Sequence, residues 1–229
     1  HLPMILGEDK KRLSKRHGAT GVNEYESMGY QPDALLNYLV LLGWNPGTDE
    51  EIFDLDSLVK NFDIRKVQKK SAIYDQKKFN WISSQHLMKE DSEKVLNRLA
   101  SIDPKWGEYK SQDYLVKVID LIKPRSNSLS DLVDQSQYLF SSPKEFDSTQ
   151  LQEIWKQDTT ETLIELKSIL GAINSWVATE LDYNFKSFAD QRGIGIGKVM
   201  QPMRFLICGS LKGPSLFDLM ELIGKEESL

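Results

Sequence analysis

The stretch HLPMILGEDKKRLSKRHGA, from His1 to Ala19, decides how this chain folds. Its opening, HLPMIL, reads as a β-strand. The residues after it are basic: five of the seven from Lys10 to Arg16 are Lys or Arg. Taken alone, the stretch allows two readings. One is a solvated loop or helix end, the usual fate of a charge run. The other is a mobile clamp for a phosphate-bearing substrate. A strand in this place has no partner nearby in sequence, and in the chain alone, with its sheet partners gone, it is expected to be disordered or prone to aggregate. The chain also starts without a methionine, which suggests the C-terminal part of a longer protein.

The charge is local. Of the chain's 29 Lys and Arg residues, the five in this stretch leave 24 against 34 acids, a balance of −10. Any contact with nucleic acid is therefore expected in patches. At 229 residues, 40% of them hydrophobic, the chain can hold one large domain or several small ones. No apolar run reaches the roughly 18 residues that a membrane span needs, so no membrane partner is expected. The single Cys208 excludes an internal disulfide framework and suits a reducing cytosol. It lies in the apolar RFLICGSL, where a buried small hydrophobe is expected. The three histidines, His1, His17 and His86, are scattered, so no metal site is expected.

Beyond residue 20 the patterns are mostly helical, apart from a hairpin expected around residues 19–30. QPDALLNYLVLLGW places Leu35, Tyr38, Leu39 and Leu42 on one face, with Pro32 near its start. PGTDEEIFDLDSLVKNF has acids in its first turns, as a helix N-terminus favours. DQKKFNWISSQHLMK, SEKVLNRLASI and DYLVKVIDLIK read as three further helices. STQLQEIWKQ opens on Thr149 with Gln152 three residues on, a capping-box spacing. TLIELKSILGAINSWVATEL sets Leu163, Leu166, Leu170, Ile173 and Val177 at alternating steps of three and four, one continuous amphipathic helix. PSLFDLMELIGK forms the last helix and stops at Gly224.

RGIGIGKVM, from Arg192 to Met200, imitates a phosphate-binding loop but fails its spacing. Val199 follows the lysine where Ser or Thr belongs, and the glycines recur every second residue. It reads as a flexible link into the next helix. Trp81, Trp106, Trp155 and Trp176 lie in or beside helical patterns and are expected in the core rather than as base-stacking platforms.

The opening stretch resembles the KMSKS region of class I aminoacyl-tRNA synthetases, in the form found in bacterial glutamyl-tRNA synthetases. Those read His-Leu-Pro, a short strand, then Asp-x-x-Lys-Leu-Ser-Lys-Arg-His-Gly. Three further segments are similar to the same family in the same order: ALLNYLVLLGW, DQKKFNWISSQHL and GKVMQPMRFLICGSLKGPSLFDLMELIGKE. Arg12 stands at a signature position usually held by Lys, keeping the charge but offering a planar fork. Ser83 stands where the family commonly has Asn.

The resemblance implies a function and its residues. Arg12, Leu13, Ser14, Lys15 and Arg16 would form the loop over the ATP triphosphate, with Lys15 as the main catalytic charge. The implied activity is glutamate–tRNA ligation: glutamate and ATP, the latter with Mg2+, give glutamyl-AMP, and the glutamyl group passes to the 3′ end of tRNA. The implied partners are tRNA(Glu) and, in some members, tRNA(Gln), in a cytoplasmic and monomeric enzyme. The implied fold is mainly α. The end of a class I Rossmann catalytic domain, a strand plus the loop, leads into a helical stem-contact region, then two all-helical anticodon-binding domains. The corresponding divisions are residues 1–90, 91–148 and 149–229. Lys198 and Arg204 are the candidate tRNA contacts. The HIGH motif and glutamate pocket would lie upstream, so the chain alone is expected to be inactive. Two alternatives remain at this point: a stand-alone helical tRNA-binding module, and a glutaminyl-tRNA synthetase relative. The β-barrel anticodon region of the latter fits poorly with helical periodicity after residue 90. A short tRNA-modifying paralogue would lack the C-terminal domains, and a purely structural scaffold would not need RLSKR.

Overall fold

A computed structural model describes residues 3–14 and 21–229. The opening segment does form a strand, β1 (Ile5–Leu6), and it is not left without partners. It pairs in parallel with β2 (Ala72–Ile73), Ile5 opposite Ala72 and Leu6 opposite Ile73. Disorder or aggregation was expected of β1 because its sheet partners would be gone with the upstream part, and a strand nearly seventy residues downstream supplies one partner.

The remaining regular structure among the described residues is helical. In order, the helices are α1 (Val22–Ser27), α2 (Pro32–Leu41), α3 (Leu55–Asn61), α4 (Gln76–Lys89), α5 (Ser92–Ile102), α6 (Gln112–Ile122) and α7 (Leu129–Ser136). There follow α8 (Ser148–Ile154), α9 (Thr159–Ala172), α10 (Ala178–Gln191), α11 (Gly197–Cys208), α12 (Leu216–Ile223) and α13 (Lys225–Ser228). Helix α1 occupies the place where a hairpin was expected. Aspartate is the recurrent start signal. Asp54, Asp75, Asp91 and Asp147 each accept hydrogen bonds from backbone N–H groups of the first turn that have no helical partner. Asp147 thus caps α8 in place of Thr149, accepting from Thr149 N at 2.9 Å and Gln150 N at 3.1 Å. Asp54 starts α3 at Leu55, so the upstream acids of PGTDEE lie outside the helix.

The chain divides into two compact units, His1–Glu108 with Lys123–Asp134, and Tyr109–Ile122 with Gln135–Leu229. In the first, Tyr25, Tyr38, Tyr74, Phe79 and Ile82 form an aromatic core, with Leu13, Tyr30 and Leu35 packed against it. Neighbouring rings meet mostly edge to face, as Tyr25 and Phe79 do at 5.2 Å and 80°. Trp44, Phe53 and Leu58 form a second cluster beside the end of α2. On α2 itself, Ala34, Asn37 and Tyr38 are buried, while Leu39 is 44% exposed, so the apolar face is narrower than the periodicity implied. Gly29, at the end of α1, has φ +72°, and a Cβ there would stand 2.5 Å from that of Leu129. No other residue fits both conditions.

In the second unit, Leu166, Leu170, Leu181, Phe185, Phe205 and Leu219 are buried side chains of α9 to α12. The helix expected across residues 163–177 is broken here: α9 ends at Ala172 and α10 begins at Ala178. The break has tertiary causes. Lys225 donates to the carbonyls of Gly171 and Ile173, at 2.7 and 3.0 Å, and so satisfies the C-terminus of α9. The Glu221 carboxylate accepts from Ala178 N at the start of α10, and Trp176 Nε1 donates to Met220 O at 2.7 Å. Side chains some fifty residues away thus take over the backbone bonds that a continuous helix would have made. Among the described residues, no helix is long and apolar enough to cross a membrane.

Candidate functional site

The basic stretch begins as a tight return. After Leu6 the chain turns through Gly7–Lys11: Lys10 N donates to Gly7 O and Gly7 N to Lys11 O, both at 2.9 Å, and Asp9 Oδ1 accepts from Lys11 N. Lys10 takes a left-handed φ of 60° to make the turn. Arg12 then forms an antiparallel bridge with Leu6, and Leu13 N donates to Ile5 O at 2.9 Å. The signature residues therefore start as an edge segment beside β1, and successive side chains alternate. Leu13 turns inward onto the aromatic core, while Arg12 and Ser14 are exposed. Lys15, the main expected charge, and Arg16, expected to assist it, lie outside the described residues.

The register also brings a second basic run near. Because residues 12–14 run antiparallel to β1 while β2 runs parallel to it, Ser14 heads toward the end of the sheet where Lys69 and Lys70 lead into β2. Five basic residues lie between Lys60 and Lys70, namely Lys60, Arg65, Lys66, Lys69 and Lys70, all exposed, beside exposed Val59, Phe62 and Ile64. Asp63 is the acid of this run, and its contacts with Arg65, one at 2.9 Å, hold its carboxyl below the usual range. This run was not among the residues expected from sequence. Its signal was present as charge density against an acidic chain, diluted by the intervening apolar residues.

Two of the segments that carried the resemblance meet in the first unit. Asn37, fully buried on α2, accepts from Phe53 N at 2.9 Å through Oδ1 and donates to Glu51 O at 3.0 Å through Nδ2. The same Oδ1 lies 3.0 Å from His86 Nε2 on α4, so the proton of His86 sits on Nε2. Burial holds the His86 pKa below its ordinary value. Ser83, also on α4, is buried and donates to Asn127 O at 2.6 Å. These positions clasp α2, α4 and the loop before α3, which fixes the scaffold beneath the signature segment. Tyr38 belongs to the same scaffold. Its hydroxyl donates to Asp75 O and accepts from Asp75 N, and burial pushes its pKa up to about 12.

The other two candidates lie on α11 in the second unit. Lys198 is exposed in its first turn. Arg204 is half-buried, and its Nη1 donates to Pro214 O. A Cβ at Gly213 would come within 2.8 Å of that nitrogen. Six residues apart, the two side chains occupy different faces of the helix. Of the tryptophans, Trp106 is buried, Trp81 is 44% exposed, and Trp155 and Trp176 are half-buried. Cys208 is half-buried rather than fully enclosed.

This arrangement, a basic strand-and-turn segment followed by helical units, is accompanied by matches along the whole chain. Residues 1–81 match the catalytic domain of class I tRNA synthetases (E and Q), and residues 85–229 match an anticodon-binding domain. The two matches together describe a class I aminoacyl-tRNA synthetase. The glutamate–tRNA ligases of Flavobacterium psychrophilum and Moorella thermoacetica are each 35% identical over all of this chain, which covers 49% and 48% of their lengths. The crystal structure of a glutamate tRNA ligase from Elizabethkingia meningosepticum superposes with a TM-score of 0.84 at 31% identity, over 100% of this chain and 49% of that one. The chain belongs to the anticodon-binding domain family over residues 85–229, is similar to glutamate–tRNA ligases along its whole length, and spans about half the length of the curated relatives it matches.

Proposed function

We propose that the chain provides the ATP-facing signature loop and the tRNA-binding part of a glutamate–tRNA ligase. The observation that carries this reading is order. A basic signature segment on a strand edge and a helical scaffold lie in the part that matches a class I catalytic domain, an anticodon-binding region follows, and glutamate–tRNA ligases match the chain from end to end. The substrates are glutamate, ATP entering with Mg2+, and tRNA(Glu), with tRNA(Gln) as a second acceptor to be tested. The enzyme acts as a cytoplasmic monomer. The three regions 1–90, 91–148 and 149–229 would contact the acceptor side, the first anticodon-facing surface and the second.

In adenylate formation the glutamate carboxylate attacks the α-phosphorus, a new carboxylate–phosphorus bond forms, and pyrophosphate leaves. Negative charge grows on the five-coordinate phosphorus and on the leaving group. A cation placed where that charge develops binds the transition state better than the ground state. Lys15 supplies that charge, with Arg12 and Arg16 assisting. Ser14 is small and can donate a hydrogen bond to the nucleotide or to the loop itself. Leu13 holds the segment to the core. The run from Lys60 to Lys70 offers a phosphodiester backbone a basic surface at the same end of the sheet. Lys198 and the outer part of the Arg204 guanidinium are the contacts nearer the anticodon.

The test is Lys15→Ala in the whole ligase. Steady-state ATP–pyrophosphate exchange with glutamate and tRNA(Glu) should lose on the order of 100-fold or more in kcat, the scale of a lost transition-state charge contact. tRNA affinity should change little. A kcat near that of the wild type refutes the assignment, and parallel charging of tRNA(Glu) and tRNA(Gln) reads the acceptor range.

A further inference from the structure

We infer that the hydroxyl pair of Tyr25 and Tyr74 is a positioning element that ties together the two ends of the signature segment. The inference rests on the reading of that segment as the ATP loop. The segment follows β1 (Ile5–Leu6) and precedes α1 (Val22–Ser27) in the chain. Tyr74 stands at the first end: it directly follows β2, and its backbone N donates to Leu6 O at 2.8 Å. Tyr25 stands at the other end, on α1. Their hydroxyls meet at 2.8 Å although the residues are 49 apart in sequence, and both side chains are buried, at 9% and 7% exposure. Leu13, in the middle of the signature, packs on the same aromatic cluster.

The hydrogen-bond directions give the pair a polarity. Tyr74 donates to Gln76 Oε1 at 2.8 Å, so Tyr25 is the donor within the pair. Gln76 in turn donates to Asn80 Oδ1 at 2.7 Å. The chain of donors thus runs from α1 through Tyr74 onto α4. Two phenylalanines would fill the same space and need no partners, so the hydroxyls add direction rather than volume. A buried hydrogen bond restricts the relative placement of the groups it joins far more closely than apolar contact does. Here it joins the two flanks of a segment whose charges must reach a developing phosphorane, where small displacements are costly in rate.

The experiment uses Tyr25→Phe, Tyr74→Phe and the double variant in the whole ligase. Four quantities are read: exchange kcat, tRNA affinity, thermal midpoint, and the rate of trypsin cleavage between Lys10 and Arg16, located by mass spectrometry. Each single variant should lose about tenfold in kcat, a displacement smaller than the ångström-scale one that can cost about 100-fold. The double variant should be no worse than the poorer single, because both remove one shared bond. Cleavage should quicken several-fold, with tRNA affinity unchanged. A purely structural role would lower the midpoint and leave cleavage and kcat alone. Overturning results are a kcat within twofold of wild type, additive losses, or unchanged cleavage. If Tyr74→Phe does not fold, Tyr25→Phe decides the matter, since it leaves the bond from Tyr74 to Gln76 in place. A wild type without exchange activity refutes the ligase reading, whereas the cleavage rates judge the tyrosine pair independently of chemistry.

Discussion

Asn37→Ala offers the most direct measure of how the scaffold under the signature segment is held. Asn37 is fully buried and serves three partners: Phe53 N at 2.9 Å, Glu51 O at 3.0 Å and His86 Nε2 at 3.0 Å. Alanine removes all three bonds and adds a small cavity. The partners differ in what they lose. Phe53 is 1% exposed, so its N–H is left dry, at a cost of about 1–3 kcal/mol. Glu51 and His86 are half-exposed, so water can replace Asn37 there. Each of those bonds then costs only its net contribution, about 0.5–1.5 kcal/mol. The total is about 2–6 kcal/mol, a large share of the stability of a single domain. At a few degrees per kcal/mol, the melting midpoint of the first unit should fall by roughly 10 °C. Thermal unfolding followed by circular dichroism on the 229-residue chain reads this, with His86→Ala as a comparison that removes one bond of the three. The lost bond should cost about a quarter as much. A midpoint for Asn37→Ala within about 2 °C of wild type would show that the clasp contributes nothing and that the aromatic core alone holds the unit.

Two further outcomes concern charge. Replacing Lys60, Lys69 and Lys70 together by Gln should lower the slope of log affinity for tRNA against log salt by about 2 to 3, since each phosphate contact contributes a little under one. Binding titrations between about 50 and 300 mM salt check this, and an unchanged slope removes these lysines from the RNA surface. The second concerns His86, whose folded pKa is lowered first by burial and then by nearby Lys89, against the opposing pull of Asp33 and Asp54. A depressed folded pKa means that the neutral ring stabilises the fold fully above the ordinary histidine value, and that this stability drains away as pH falls through the folded value. The difference in stability between wild type and His86→Gln should therefore shrink as pH falls from about 7 to about 5. A pH-independent difference in denaturant midpoints would contradict it.

Helix starts, the basic signature and the mainly α character were legible in the chain itself because each is a local property. Asp75 and Asp91 cap helices from one residue away, and the spacing inside α4 and α5 reports the face each presents. Even here the local signal misplaced boundaries, at Asp54 and Asp147, because several residues in a row could accept the same N–H groups. Periodicity says nothing about partners. The pairing of β1 with β2, the clasp of Asn37 by His86 and the meeting of Tyr25 with Tyr74 join residues some fifty to seventy positions apart, and only the folded chain brings them together. The interruption between α9 and α10 shows the same limit most plainly. Leu163 to Val177 keep a perfect amphipathic spacing, yet the helix stops at Ala172 because Lys225 and Glu221 satisfy its backbone from outside. A local pattern records which residues favour burial. Where a helix ends is settled by which distant groups reach its unpaired donors and acceptors, and that is decided only in the tertiary structure.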